Sequence, residues 1–137
     1  YLETVGVPII GFGTNELPGF FSSESGLTLQ QSVSGPTQAA AIITERRALL
    51  FEGGEVIAVP PPSDTAIPSS KVNQWIKAAL SDAEVANIRG QFLTPFVLER
   101  LRELSGDRTL LANIALIKNN ARIAAEIAVS LKNNALI

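Results

Sequence analysis

The sequence predicts an α/β fold, because two short apolar runs are separated and followed by longer segments with helical spacing. The runs are "VPIIGF" at 7–12 and "EVIAVPPP" at 55–62, and both have the length and β-branched content of buried parallel strands. Two such strands are too few for a complete sheet. We therefore expect a partial α/β fold that ends in helices.

The first strand lies between Gly6 and Gly13, and the second ends at prolines that cannot continue a hydrogen-bonded ladder. After the first strand, "GTNELPGFFSSESG" has the turn residues of a loop or a short helix. Between the strands, "SGPTQAAAIITERRALLFEGG" predicts a helix with Pro36 near its first position and Gly53-Gly54 as its stop. The residues expected on its inward side are Ala40, Ile43, Arg47, Leu50 and Phe51.

Helical patterns fill the rest of the chain. "SSKVNQWIKAALSDAEVANIRG" contains one or two helices, with Ser69 or Ser70 as the N-cap. Its expected apolar side consists of Val72, Trp75, Ile76 and Leu80. "TPFVLERLRELSGDRT" predicts a helix with Thr94 as N-cap, Pro95 at its first position and Gly106 at its end. Asp107 or Thr109 is then expected to cap the last helix.

The composition narrows the classes of function. The 137 residues, 46% hydrophobic and 18% charged, suit one globular domain over residues 1–137. A net charge of −2 gives no electrostatic reason to expect nucleic acid or an anionic membrane as a partner. Cysteine and histidine are absent, which excludes thiol chemistry, disulfides and histidine as metal ligand or proton shuttle.

The sequence also predicts where the protein resides and whether this chain is a whole protein. No apolar run reaches the roughly 18–20 residues that span a bilayer, and the start lacks a signal-peptide pattern, so we expect a cytoplasmic or organelle-matrix protein. Methionine is absent as well. Because translation begins with methionine, we expect this chain to be a piece of a longer protein.

The last helical stretch, "TLLANIALIKNNARIAAEIAVSL" at 109–131, carries three asparagines in an otherwise apolar pattern. Asparagine is a poor interior helix residue, and burying an unpaired amide costs roughly 1–3 kcal/mol. At about 100° per residue, the stripe expected to be buried comprises Asn113, Ile117, Asn120, Ala124 and Ile127, and the opposite side Lys118, Arg122, Glu126 and Asn133. Asn119 falls towards the polar flank.

Asn113 and Asn120 lie seven residues apart, about 10 Å along a helix, so both could line one cleft. They either hydrogen-bond to neighbouring elements inside an ordinary core or face a polar ligand. The stripe by itself leaves both interpretations open.

Three weaker signals come from the loop after the first strand. Gly11-x-Gly13 begins like a dinucleotide fingerprint, but Glu16 and Pro18 replace the third glycine and the helix start, which argues against a nucleotide cofactor. Glu16 is an acid or base or, as isolated loop carboxylates more often are, a cap or a surface charge. "FFSSESG" at 20–26 offers backbone amides that could hold a phosphate, although such loops are common.

The lysines do not indicate a covalent site. All four lie on predicted polar helix faces rather than in the desolvated setting that imine chemistry requires: Lys71, Lys77, Lys118 and Lys132.

Three segments, "YLETVGVPIIGFGTNELPGFFSSESG", "TPFVLERLRELSG" and "LLANIALIKNNARIAAEIAVSL", together resemble the C-terminal half of pseudouridine-5'-phosphate glycosidases, the indigoidine synthase A-like family. The family pattern is Y-L-E-T-x-G-V-P-V, G-Y-x-T-D/N-E-F-P-A-F, T-P-F-L-L and A-N-I-A-L-x-x-N-N-A, in this order. Leu17 and Gly19 stand where the family usually has Phe and Ala, and "AVPPPSDTAIP" differs from N-P-I-P-E-E-Y-A-I-P. The resemblance implies the C-terminal part of an α/β/α layered fold.

The resemblance also implies an activity, the reversible cleavage of the carbon–carbon bond of pseudouridine 5'-phosphate to uracil and ribose 5-phosphate. In the family the sugar is held as an imine on a lysine, and that lysine, the acid/base glutamate and a metal-binding aspartate precede Y-L-E-T. This chain would therefore hold no catalytic residue and no metal ligand of its own, and it would be inactive alone. The implied cofactor is a divalent metal, manganese, bound upstream, and the implied assembly is a homotrimer.

Asn113 matches the substrate-contacting asparagine of A-N-I-A-L, so the resemblance favours a substrate-binding role for it. Asn120 is the second substrate-binding candidate, with a structural hydrogen bond as its alternative. The alternative function for the whole chain is a non-catalytic α/β module whose helices serve assembly.

Overall fold

Parallel strands at the centre of the fold confirm the predicted α/β class. The computed structural model describes residues 1–51 and 53–134. Its strands are β1 (Ile9–Phe12), β2 (Gln31–Val33) and β3 (Val56–Ala58). They form one parallel sheet in the order β2-β1-β3, in which Ile10 pairs with Gln31 on one side and Ile57 on the other.

The described residues also form four helices. They are α1 (Pro36–Ala48), α2 (Ser69–Val85), α3 (Leu93–Ser105) and α4 (Arg108–Asn134). Short 3₁₀ turns at Glu3–Val5 and Gly90–Phe92 precede β1 and α3. None of the helices within the described ranges combines the length and apolar character needed to cross a bilayer.

The strand β2 was not predicted from the sequence. Gln31 and Ser32 are polar and exposed, and only Val33 is buried. A three-residue strand with one apolar side chain carries neither an apolar run nor an alternating pattern, so backbone pairing with β1 alone defines it.

Two hydrophobic clusters form within the described residues, and α4 belongs to both. The first lies between the sheet, α1 and the C-terminal half of α4, and its buried members are Ile10, Val33, Ala39, Ile43, Ile123 and Ile127. The second joins α2, α3, the N-terminal half of α4 and two loops, and its buried members are Phe21, Ile67, Val72, Leu101 and Ala112. A single long helix therefore connects the sheet region to the α2–α3 region.

The helix α1 ends earlier than the sequence predicted. Leu50 adopts a left-handed φ of 58°, and the Phe51 N–H donates to the Arg46 carbonyl at 3.1 Å, which turns the chain after Ala48 rather than at Gly53-Gly54. Of the residues expected on the inward side, Ala40 and Ile43 are buried. The prediction is wrong for Arg47, Leu50 and Phe51, which are exposed because the helix has already ended or turned them away from the sheet.

Two predicted N-caps are also wrong. The helix α2 begins at Ser69 directly after Pro68, without a side-chain cap. A 3₁₀ turn runs into α3, which places Thr94 inside the helix and leaves Phe92 at the cap position. By contrast, Gly106 ends α3 in the left-handed conformation that glycine favours, as predicted.

On α2, the expected apolar side is only partly buried. Val72 is buried and Trp75 and Ile76 are half-buried, but Leu80 is 41% exposed. The α3 contact therefore covers the beginning of this face and leaves Leu80 outside the second cluster.

Candidate functional site

The buried face of α4 is not the face that the sequence predicted. Its buried residues are Thr109, Ala112, Leu116, Ile123 and Ile127. Of the predicted stripe, Ile127 is buried, Asn113 is half-buried, and Ile117, Asn120 and Ala124 are exposed. Because α4 carries apolar side chains on the buried face and also on a neighbouring exposed face, its periodicity could not decide which side meets the sheet and α3.

Asn119 has a structural role that the sequence did not reveal. Its amide Nδ2 donates to the Pro60 carbonyl at 3.4 Å, and its Oδ1 accepts from Arg122 Nη2 at 2.9 Å. Asn119 is half-buried, and its partner Arg122 belongs to the predicted polar side of the helix. The proline segment after β3 bonds to α4 through it.

Asn113 has no such partner. Among the described residues, no side-chain hydrogen bond involves Asn113, whereas five other side chains of α4 form them: Thr109, Asn119, Arg122, Glu126 and Ser130. The carboxamide instead borders a cavity of about 290 Å³. A half-buried amide without a protein partner retains both donors and its acceptor for a ligand.

The three sequence segments that carry the resemblance meet at this cavity. Phe20 and Phe21 come from the loop after β1, Pro95 and Leu98 from α3, and Asn113 from α4. The two aromatic rings form a T-shaped pair with centroids 4.6 Å apart and an interplanar angle of 84°. Sequence reasoning missed these phenylalanines, although two adjacent aromatic residues in a Gly- and Ser-rich loop were a usable signal.

Charged side chains at the rim of the cavity already pair with each other. Arg102 contacts Glu99 at 2.5 Å and Asp107 at 3.7 Å. The hydrogen bond to Glu99 raises the pKa of the Arg102 guanidinium above its ordinary value. The charges at the rim therefore pair with each other, whereas the Asn113 amide has no hydrogen-bond partner among the described residues.

Asn120 faces a different space. It lines a second cavity, of about 390 Å³, together with Ile43, Ile57 and Val59 of the sheet region. The two asparagines therefore do not line one cleft. Asn113 lies beside α3, and Asn120, seven residues further along α4, lies beside the sheet. The proposed roles of Asn113 and Asn120 in substrate binding remain predictions.

Two backbone amides of the loop after β1, those of Ser25 and Gly26, are not available to a phosphate. Glu16 Oε1 accepts hydrogen bonds from the backbone N–H groups of Ser25 and Gly26. The internal carboxylate thus takes the place that the sequence suggested for an external anion, and Glu16 acts as a cap. An antiparallel bridge between Glu16 and Thr28 closes the base of the same loop.

The lysines lie where the sequence placed them, on exposed helix surfaces: Lys71, Lys77, Lys118 and Lys132. Within residues 1–51 and 53–134, no cluster of three or more Asp, Glu, His or Cys side chains could hold a metal ion. The resemblance places the manganese upstream of this chain, and that site remains a prediction.

The chain is similar to a known protein family along most of its length. The family model for indigoidine synthase A like proteins matches residues 1–130. Pseudouridine-5'-phosphate glycosidases of Myxococcus xanthus and Caldanaerobacter subterraneus are 45% and 44% identical over 94% and 96% of the chain. The chain spans only 43% of the length of each.

Two solved structures share the fold. The prealnumycin C-glycosynthase AlnA, in complex with ribulose 5-phosphate, superimposes with a TM-score of 0.90 at 25% identity over 99% of the chain and 45% of that protein. An indigoidine synthase A-like protein from Thermotoga maritima gives a TM-score of 0.81 at 32% identity over 96% of the chain and 43% of that protein.

Proposed function

Because the chain belongs to the indigoidine synthase A like protein family, we propose that it is the C-terminal part of a pseudouridine-5'-phosphate glycosidase. The names of the relatives support this activity, and the sugar phosphate bound to AlnA supports a phosphorylated sugar as part of the substrate. The single structural observation that carries the proposal is the unpartnered amide of Asn113 in its cavity.

The proposed reaction breaks the carbon–carbon bond between uracil and the sugar of pseudouridine 5'-phosphate. Because carbon is a poor leaving atom, the sugar opens and forms an imine with a lysine of the N-terminal part, which withdraws electrons from the bond. Uracil departs after taking up a proton, and water releases ribose 5-phosphate from the lysine. The reverse sequence forms the bond.

In this scheme the described residues supply one wall of the substrate pocket. Asn113 pairs with polar atoms of the substrate, because a site built for polar groups needs amides placed without internal partners. Asn120, in its separate cavity, is retained as a weaker substrate-binding candidate. The chain alone is expected to be inactive, and the complete protein is proposed to bind manganese upstream, to form a homotrimer and to reside in the cytoplasm or an organelle matrix.

The test uses the full-length protein with Asn113→Ala. Leaving substrate atoms unpaired costs roughly 1–3 kcal/mol, so kcat/KM for pseudouridine 5'-phosphate should fall about 5- to 150-fold. The melting temperature should change little, because no described residue loses a hydrogen bond.

Asn119→Ala is the matched control. It removes the bond to Pro60, so it should lower the melting temperature and leave the kinetics of the folded enzyme near normal. Near-normal kinetics with a large loss of stability for Asn113→Ala would contradict its site role. Absence of uracil release by the full-length wild-type protein would contradict the proposed reaction itself.

The second candidate function is a non-catalytic α/β assembly module. Its supporting observation is the exposed apolar side of α4, where Leu111 and Ile117 are 61% and 60% exposed. The upstream sequence separates the two candidates. A K-S-I-L-D-like segment directly before Tyr1 favours the glycosidase, and its absence favours the module.

A further inference from the structure

Phe20 is exposed, whereas the next residue, Phe21, is buried. Its side chain is 56% exposed, whereas Phe21 is 5% exposed and belongs to the second hydrophobic cluster. The T-shaped contact with Phe21 supports one side of the Phe20 ring. The rest of the ring lines two cavities and is accessible to a ligand there.

The chain directly after Phe20 is held by hydrogen bonds. The Phe21 carbonyl accepts the Ile67 N–H at 2.8 Å, and the Ser22 hydroxyl donates to the Glu24 carbonyl at 2.8 Å. A Cβ at Gly19 would lie 2.4 Å from the Ser22 hydroxyl oxygen, so glycine fits this close turn. The exposed ring is therefore presented by an ordered turn.

Phe20 borders the Asn113 cavity on one side. On the other side it borders a larger cavity of about 700 Å³ with an apolar floor that includes Val72, Ile76 and Leu101. An aromatic surface beside an unpartnered carboxamide is suited to a planar ring with polar edges, because the aromatic ring stacks on the plane and the amide pairs with the edge. A sugar phosphate alone offers no such plane.

From this arrangement we propose that Phe20 stacks on the pyrimidine ring of the substrate and selects for it, while Asn113 pairs with polar substrate atoms in the same cavity. The proposal rests on the proposed glycosidase function and adds a base-recognition residue to it. Phe20 touches the substrate in this arrangement, but it takes no part in proton transfer or bond cleavage.

The test measures binding of the two products separately in the full-length protein. Calorimetric titration of Phe20→Leu should show the Kd for uracil raised on the order of tenfold, which is the usual scale for losing one base–aromatic stack. The Kd for ribose 5-phosphate should stay unchanged, and KM for pseudouridine 5'-phosphate should rise while the melting temperature stays near that of the wild type. Phe20→Tyr should restore uracil binding.

Leu27→Ala is the matched control, since Leu27 is 59% exposed in the same loop and borders neither cavity. It should leave both dissociation constants unchanged. Unchanged uracil affinity in Phe20→Leu would overturn the proposal, as would a parallel loss of both affinities together with a lower melting temperature. If the wild-type protein releases uracil but Phe20→Leu binds it normally, the glycosidase function stands and only the stacking role fails.

Discussion

Gly11 in β1 shows how a single residue without a side chain fixes the route of the chain next to the site. A Cβ at this position would lie 2.0 Å from the Thr14 carbonyl oxygen and 3.0 Å from the Leu29 side chain. The strand can therefore be followed by a loop that turns sharply back over it. That loop carries Phe20 and Phe21 to the Asn113 cavity.

Gly11→Ala is expected to destabilise the protein by about 3 kcal/mol, the upper end of the usual cost of overpacking, because the colliding atom belongs to the backbone and cannot rotate away. Urea unfolding of the full-length protein measures this loss. Gly54→Ala is the control, because nothing lies within 4 Å of a Cβ there and its φ lies outside the left-handed range. Equal stability of the two variants would contradict the predicted clash.

The two asparagines Asn113 and Asn119 illustrate what residue-level reasoning from sequence can and cannot supply. The pattern marked the carboxamides of α4 as unusual, and the resemblance favoured Asn113. Which amide is satisfied depends on Pro60, a residue 59 positions away from Asn119, and this pairing leaves no trace in the local pattern. The partnered amide and the free amide could be distinguished only by tertiary structure.

At the scale of elements, the corner between α3 and α4 is built from Ser105, Gly106 and Asp107. Gly106 and Asp107 have left-handed φ values of 58° and 62°. The Ser105 hydroxyl accepts the Thr109 N–H at 3.1 Å and lies 3.0 Å from the Thr109 hydroxyl. The last turn of α3 thus supplies the capping side chain for α4, a role that the sequence had given to Asp107 or Thr109.

Ser105→Ala is expected to cost about 1–2 kcal/mol of stability, because it removes the cap and leaves the Thr109 N–H buried without this acceptor. The change in the urea midpoint of the full-length protein measures the effect. Ser81→Ala provides the comparison, since Ser81 is exposed within α2 and alanine is the better helix former. A Ser105→Ala protein as stable as Ser81→Ala would show that the cap contributes nothing.

The elements that were predicted correctly carry their signals locally. Pro36 begins α1, Gly106 ends α3, and both apolar runs became β1 and β3. The elements that were missed depend on partners elsewhere in the fold. Val33 is the single buried residue of β2, and the end of α1 is set by the turn at Leu50 without a glycine at that position. Local signals therefore predicted helix existence better than helix faces or ends.

At the scale of the whole molecule, one side of α4 is apolar and uncovered within the described residues. This α4 patch consists of Leu110, Leu111, Ile114 and Ile117, which are 42%, 61%, 42% and 60% exposed. The patch adjoins the Asn113 cavity through Leu110. The relatives are more than twice as long as this chain, so the proposed N-terminal part is the expected cover for the patch.

The α4 patch predicts that Ile117→Lys improves the behaviour of the 1–137 chain in solution but destabilises the full-length protein. In the chain of residues 1–137 alone, Ile117→Lys should reduce self-association and binding of a hydrophobic dye, because it places a charge in an exposed apolar patch. In the full-length protein the same change should lower stability by several kcal/mol, because the lysine would be buried without a partner beneath the N-terminal part. Light scattering, dye fluorescence and thermal unfolding of both proteins measure these effects.

Val85→Lys is the control for that comparison, since Val85 is 89% exposed at the end of α2, outside the α4 patch. It should have little effect in either protein.

The chain of residues 1–137 alone should also release no uracil from pseudouridine 5'-phosphate, because the proposed lysine lies outside it. Two results would contradict the covered patch. One is a sharp two-state melt of the 1–137 chain as a monodisperse monomer that binds no dye. The other is a full-length Ile117→Lys variant as stable as the wild type, which would show that the α4 patch is exposed to solvent in the full-length protein.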